Sequence, residues 1–393
     1  MDNQSQRNKA SVCEKIQKKK LLVIELEPAP YKFDLWNAFA ISKRCDVNVI
    51  FTAAKNWAPD GGHNFQELPT ALFPFEIFHG KGIVSFLKSS FVFLQYFFGW
   101  RPDFVFISGY VDAVPLMAII ACVIFKRKYS VHSDIFNNSP PQNIIDDFKY
   151  LFRNLIRKLI FRTSVAVLNC GKIGCESAIV AGCGRNKVYD FPYVVDPERL
   201  RSDQPSNVPD VCKSDLESGR LIILFSGRLI HRKGLDTLLD AAEKLVEINN
   251  WVLWIEGDGP LMSTYLCRAT DLGISDKCRF LGFCQMSLHS WLLRNSDIVV
   301  IPSIRDPWGI VVDEGMQLGK VVITSNNVAS GVDRILNGSN GLFFPVGNQQ
   351  ELSHQLYTVL TNHEKRTTLG DSAQLSAARY GPKENVHTAF QFL

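Results

Sequence analysis

The feature that most limits what this chain can fold into is a repeated alternation. Short β-branched or aromatic runs are each followed by a segment with helical spacing, and the pattern occurs in two blocks. The first block holds Leu21 to Leu26, Asp46 to Phe51, Phe104 to Ser108, Tyr129 to Val131 and Val165 to Leu168. The second holds Leu221 to Ser226, Trp251 to Ile255, Arg279 to Leu281, Asp297 to Ile301 and Val321 to Thr324. Strands alternating with helices call for a parallel sheet covered on both faces. Between the blocks, from Asp196 to Ser218, the composition turns to Pro, Ser, Asp and Asn with little periodicity, which marks a linker. A chain of 393 residues holds two such units, each with its own core. The expected architecture is α/β, with two Rossmann-like doubly wound domains facing across a cleft. The first spans 21–200, a linker 201–219 and the second 220–375, with 376–393 a closing helix. Residues 1–20 are polar, end in three lysines and read as a disordered lead-in.

Composition narrows the function. A net charge of +4 is too small to argue for a nucleic-acid partner. The ten cysteines show neither C-x-x-C pairs nor regular Cys/His spacing, so no zinc site or disulfide framework is expected and a reducing cytoplasm is. Phe91 to Trp100 and Ala113 to Phe125 are apolar but short of the roughly 20 residues of a bilayer span; they read as buried helices of the α/β core.

The chemistry concentrates in the second block. The strand ending at Ile301 leads through Pro302-Ser303 into the loop Arg305 to Gly309, then a helix from Ile310 to Leu318 stopped by Gly319. Asp306 lies in the loop and Glu314 about two turns along the helix, on one side. The helix start between them suits an anion flanked by hydroxyl groups, such as a diphosphate joining two sugars. Earlier, Ser226 to Gly234 follows a strand and precedes a helix: its glycines let a ligand approach, Arg228 offers a planar fork and Lys233 a mobile point charge. Fixed cations of this kind stabilise a departing diphosphate more than the bound ground state. A further glycine turn, Glu256-Gly257-Asp258-Gly259-Pro260, follows the next strand.

These stretches, from about Leu221 to Pro345, resemble retaining GT-B glycosyltransferases of family 4. The matching order is G-R-x4-K-G from Gly227, G-D-G-P from Gly257 and P-S-x-x-D-P-W-G-x4-E from Pro302 to Glu314. The resemblance implies that Gly227, Arg228, Lys233, Gly257 and Gly259 surround the nucleotide sugar, and that Phe280 and Leu281 meet the base through their main chain. It implies that the amides of Trp308, Gly309, Ile310 and Val311 face the diphosphate and sugar, that Glu314 takes the ribose hydroxyls, and that Asp306 meets the donor sugar where relatives carry Glu. On the first domain, His132 occupies a strand-end loop from which relatives reach the transferred sugar, with Asp134 as its rival. The Gly-Gly pair common after the first strand is replaced by Glu27-Pro28-Ala29-Pro30-Tyr31-Lys32, whose prolines remove two N–H donors; Tyr31 and Lys32 are acceptor-side candidates.

Asp147 to Arg162 reads as an amphipathic basic helix, with Phe148, Leu151, Phe152, Leu155, Ile156, Leu159 and Ile160 on one face. Lys149, Arg153 and Arg157 form one cationic row and Asn154, Lys158 and Arg162 another, with Lys126-Arg127-Lys128 adding to the same surface; either the helix docks on anionic lipid or on a lipid-linked diphosphate acceptor, or it is a core helix with a solvated basic side. No D-x-D occurs, consistent with Arg228 and Lys233 standing in for a metal, so no cofactor is expected. The implied reaction is retaining hexosyl transfer from a nucleoside-diphosphate sugar to a hydroxyl of a lipid-linked saccharide, building surface polysaccharide (O-antigen or capsule) at the inner face of the cytoplasmic membrane. A nucleotide-sugar epimerase and a non-catalytic nucleotide-sugar-binding protein are the alternatives.

Overall fold

The computed structural model describes residues 18–52, 67–78, 83–136 and 144–393, without the side chains of 144–149. Most of the lead-in therefore lies outside the described residues, and so does the side chain of Lys149.

The first domain is built on a seven-stranded parallel sheet ordered β3-β2-β1-β4-β5-β6-β7. Its strands are β1 (Lys19–Glu25), β2 (Cys45–Phe51), β3 (Phe75–Ile77), β4 (Phe104–Ser108), β5 (Lys128–Ser133), β6 (Ala166–Asn169) and β7 (Val188–Asp190). Helices α1 (Pro30–Ile41), α2 (Ile83–Leu94), α3 (Ala113–Ile124), α4 (Ile144–Thr163) and α5 (Gly171–Val180) connect them. The strands carry unbroken apolar runs because both sheet faces are covered. Leu22 and Ile24 of β1 point into one layer, with Ala118 and Ile119 of α3 and Ile156 and Ile160 of α4. Leu21 and Val23 point into the other, with Phe33, Trp36 and Phe39 of α1.

Two short helices follow where an aperiodic linker is expected, α6 (Pro197–Ser202) and α7 (Asp210–Glu217). Pro197 opens α6 behind the Asp196 cap, whose side chain accepts from Glu198 N. The second domain is a six-stranded parallel sheet ordered β10-β9-β8-β11-β12-β13. It comprises β8 (Leu221–Ser226), α8 (Leu235–Glu243), β9 (Trp251–Glu256), α9 (Met262–Asp271), β10 (Cys278–Gly282), α10 (Met286–Asn295), β11 (Ile298–Ile301), α11 (Val311–Gln317), β12 (Val321–Ser325), α12 (Ala329–Arg334) and β13 (Leu342–Phe344), then α13 (Gln349–Thr361) and α14 (His363–Ala377). Helix α7 belongs to this domain: buried Asp215 accepts from Trp254 Nε1 at 3.1 Å and from Arg279 Nη2 at 3.0 Å.

The chain crosses between domains twice. At the first crossing Arg199 of α6 forks onto Asp34 of α1, Nε to Oδ1 and Nη2 to Oδ2 both at 2.8 Å. The second leads from α14 to α15 (Pro382–Ala389), where Val386, Ala389 and Phe392 join the core formed by Phe39 and Phe104 of the first domain. Both crossings meet the end of α11. Gln317 Nε2 donates to Ala377 O and Tyr380 O at 2.8 and 2.7 Å, and Arg201 Nη2 donates to Gln317 O at 3.3 Å.

Two expectations are corrected here. Of the apolar stretches read as buried helices, Ala113 to Phe125 packs into the core through Val114, Ala118, Ile119 and Cys122, whereas Phe91 to Trp100 is largely exposed. Helix α2 continues through a π-helical turn (Gln95–Trp100), and the 18 residues Ile83–Trp100 are long and apolar enough to cross a membrane by length and composition, with only 22% buried. Val84, Leu87, Phe91, Leu94 and Phe98 recur at helical spacing and all are exposed, as are Ile120, Ile124 and Phe125 at the end of α3. On α4, Leu151, Phe152 and Leu155 are exposed while Ile156 and Ile160 are buried. Arg157, expected in a surface row, is 3% exposed: its Nε donates to Tyr110 Oη at 3.0 Å, and its guanidinium lies 5.4 Å from the Phe136 ring centre. Arg153 is half-buried, and Lys158 and Arg162 remain exposed.

Candidate active site

In each sheet the strand order reverses beside the first strand of the domain, between β1 and β4 and between β8 and β11. Parallel sheets open a crevice at such points, beyond the carboxyl ends of the strands. The loops after β8 and β11 are stitched together there. Ile304 N donates to Arg232 O at 2.9 Å, and Arg232 Nη1 to Arg305 O at 3.1 Å. Lys233 Nζ donates to Asp306 Oδ2 at 2.6 Å, with Asp306 8% exposed. Gly227 and half-buried Arg228 sit at the end of β8.

Two glycines are required by the close approach of these loops. Gly257 has φ +129°, and a Cβ there would lie 1.9 Å from Gly227 O, so the G-D-G-P turn can nest under the first loop only without a side chain. Gly309 has φ +85°, and a Cβ would lie 2.6 Å from Val328 Cγ1. Its backbone path leaves the N–H groups of Trp308, Gly309, Ile310 and Val311 with no backbone acceptor among the described residues. Helix α11 is shorter than the expected Ile310–Leu318, beginning at Val311 and ending at Gln317.

Glu314, 6% exposed, is not alone on its side of the site. His289 of α10 places Nε2 3.2 Å from Glu314 Oε2 and Nδ1 2.8 Å from Glu256 Oε2, at the end of β9. Burial opposes charging this imidazole, but the two carboxylates outweigh it and hold its pKa well above the usual range. Glu314 is likewise penalised by burial, which His289 and then Arg199 overcome, so its pKa lies below the ordinary value. Phe280 and Leu281 are half-buried at the end of edge strand β10, and Gly282 O accepts from Gly257 N at 2.8 Å.

The facing wall comes from the first domain. Burial, then the charge of Lys32, push the His132 pKa down to about 3 against a weaker upward pull from Phe191 O. The ring is therefore neutral, and Nε2 donates to that carbonyl at 3.0 Å. Cys170 Sγ lies 3.6 Å from the same nitrogen. Asp134 accepts from Tyr193 Oη at 2.6 Å. Burial raises the Asp134 pKa; Tyr193 and Lys32 oppose this, and Asp306 adds to it from across the cleft. Lys32 is 5% exposed, with Nζ 2.7 Å from Glu25 Oε2 and 4.6 Å from the Tyr193 ring centre. Tyr31, partly buried, packs against the same ring at 4.8 Å. Thus the structure gathers Tyr31, Lys32, His132 and Asp134 into one cluster facing Asp306. Lys32 is an internal ion-pair partner there, with its ammonium turned to Glu25.

The walls touch at one edge. Trp308, 3% exposed, donates from Nε1 to Tyr193 O at 3.1 Å and packs on Cys170. Asp333 Oδ2 accepts from Lys172 N at 2.8 Å, so the second domain caps the start of α5 in the first.

Residues 211–376 match the family described as glycosyl transferases group 1. The second domain is a group 1 glycosyltransferase domain. An uncharacterized glycosyltransferase of Methanocaldococcus jannaschii is 32% identical over 153 residues, 39% of each chain. The lipopolysaccharide core biosynthesis glycosyltransferase LpsE of Rhizobium meliloti is 26% identical over 198 residues, 50% of this chain and 53% of LpsE. The chain thus spans no more than about half the length of these relatives. HepE of Anabaena, solved in complex with UDP, superposes with a TM-score of 0.71 at 18% identity, over 95% of this chain and all of HepE. That likeness identifies the two-domain GT-B fold. In this glycosyltransferase fold, the site residues that sequence reasoning missed are Glu25, Cys170, Tyr193, Glu256 and His289. Glu256 directly precedes the singled-out glycine turn; for His289 no local sequence signal exists.

Proposed function

We propose that the chain is a retaining glycosyltransferase that moves a hexosyl group from a nucleoside-diphosphate sugar to a hydroxyl of a lipid-linked saccharide in surface polysaccharide biosynthesis. The observation that carries this reading is the joined pair of loops after β8 and β11. Within them Lys233 meets Asp306 at 2.6 Å, beside a run of four backbone N–H groups that donate to no backbone acceptor among the described residues. Lys233 would turn from Asp306 to the diphosphate as the donor arrives. With Arg228 and the amides of Trp308 to Val311 it would take up the charge that grows as the glycosidic bond breaks, without a metal. Asp306 would then be released to the donor sugar, and Glu314 would receive the ribose hydroxyls. Front-face attack, with the leaving phosphate accepting the proton of the acceptor hydroxyl, needs no enzyme nucleophile. On the opposite wall Asp134 and Tyr193 would line the acceptor side.

Two comparisons support the substrate classes: HepE has been solved with UDP-glucose, and LpsE is named for lipopolysaccharide core biosynthesis. The exposed apolar stripe of α2 with exposed Lys158 and Arg162 supports contact with an anionic membrane surface, at the inner face of the cytoplasmic membrane. The test is transfer of radiolabelled sugar from nucleotide donors to an extracted lipid-linked acceptor. Arg228→Ala and Lys233→Ala should each lower turnover by about 10²–10³-fold, the usual effect of removing one charge-stabilising donor. Undiminished transfer in both would remove the mechanism.

A further inference from the structure

The Glu256–His289–Glu314 cluster joins three elements, β9, α10 and α11, that are separated in sequence. All three side chains are largely withdrawn from solvent, with exposures of 7%, 17% and 8%. Both ring nitrogens of His289 are engaged, Nδ1 by the Glu256 carboxylate at 2.8 and 3.0 Å and Nε2 by Glu314 Oε2 at 3.2 Å. Glu314 Oε1 accepts no hydrogen bond from the described residues. We propose that His289 is a positioning residue: anchored by Glu256, it fixes one oxygen of Glu314 and so leaves the other set to accept from the ribose hydroxyls of a nucleoside diphosphate. This deepens the glycosyltransferase reading of the site and rests on it.

The physical argument concerns charge and freedom. Two buried carboxylates with nothing between them disfavour each other's ionisation. A protonated acid in place of Glu314 would spend one oxygen as a donor, whereas an ionised one offers acceptors only, which is what two ribose hydroxyls require. An imidazolium beside Glu314 favours the ionised form of that acid. Hydrogen bonds to a charged acceptor are also the stronger kind. The Glu256 clamp matters separately, because it fixes the ring plane. A ring held at Nδ1 directs Nε2 along a single line, so the Glu314 rotamer is set before the ligand arrives. Arg199 supplies a further favourable charge toward Glu314 from the first interdomain crossing.

The experiment is calorimetric titration of the full chain with UDP, GDP, ADP and CDP and with their 2′,3′-dideoxy counterparts, scored as the affinity ratio between each pair. In the wild type the ribose form should bind more tightly. Glu314→Gln should abolish that preference. His289→Leu should reduce it by about tenfold while the dideoxy form keeps its affinity within about twofold, since a loss of general structure would weaken both ligands alike. Glu256→Gln should act in the same direction, and the Glu256→Gln/His289→Leu double variant should lose no more than His289→Leu alone, because Glu256 acts through the ring. His289→Gln, which keeps a polar side chain, serves as the folding control and should retain part of the preference. A His289→Leu protein that keeps the full preference while Glu314→Gln loses it overturns the positioning role and leaves the site reading intact. Failure of every diphosphate to bind, or a ratio unmoved by Glu314→Gln, removes the site reading and the proposal with it.

Discussion

At the scale of single residues, the cleft holds ionisable groups whose states are set by burial and then corrected by specific partners. For His132 burial dominates, Lys32 adds to it and Phe191 O opposes it only weakly. The folded-state pKa of His132, near 3, lies far below the roughly 6.5 of an imidazole in an unfolded chain. The unfolded chain therefore takes up the proton first as the pH falls. Stability associated with His132 is complete above about pH 6.5 and drains away down to about pH 3, at about 1.4 kcal/mol per unit. Comparing unfolding of the wild type and His132→Gln at pH 7 and pH 5 should show the variant gaining about 2 kcal/mol on the wild type. A gap that does not move with pH would show that the ring titrates normally. His289 has the opposite sign. Its raised pKa means that the stability it lends is present below about 6.5 and is lost only as the pH climbs through the raised value.

At the scale of elements, the outer helix layer of the first domain carries an exposed apolar stripe on α2 and exposed cations, Lys158 and Arg162, on α4. Replacing Leu87 and Phe91 of α2 with Asp should cut cosedimentation with phosphatidylglycerol vesicles by about tenfold or more. The melting temperature should change little, because both side chains already face solvent at 58% and 62% exposure. Retained vesicle binding would assign membrane contact elsewhere. This layer also marks the edge of what the sequence reveals. Runs such as Leu221 to Ser226 are legible as strands because a short apolar run between Gly219 and Gly227 leaves no room for a helix, and the Gly227–Gly234 and Pro302–Glu314 spacings locate the site loops. Apolar content does not say which neighbour covers a helix, so α2 reads as core although its outer face is bare. Strands β3, β7 and β13, three residues each, are too short to show a period. Arg157 continues a cationic row by spacing, yet Tyr110 and Phe136, one far along the chain and the other from a neighbouring loop, draw it inward. His289 finds Glu256 33 residues before it and Glu314 25 after it; such contacts exist only once β9, α10 and α11 converge.

At the scale of the molecule, the first domain borrows part of its core from the far end of the chain. Phe392 lies 5.9 Å from Phe104 and 5.0 Å from Tyr189, ring centre to ring centre. Phe392→Ala should destabilise the first domain by about 3 kcal/mol, the low end for a buried aromatic removed to Ala. Hydrogen exchange should then quicken in β1, β4 and α1 and stay unchanged in β8 to β13; uniform quickening would mean that the two domains unfold as one. The paired fastening of both crossings at Gln317 has a mechanical meaning as well. It puts a pivot at the rear of α11, and any rocking of one lobe on the other sweeps least what stands nearest that point. Glu314, one helical turn away, would keep its place through the swing, while the far rim, where Trp308 leans on Tyr193 and Asp333 on Lys172, would travel and part. A donor held at Glu314, as proposed above, would then rest at the still end of that swing.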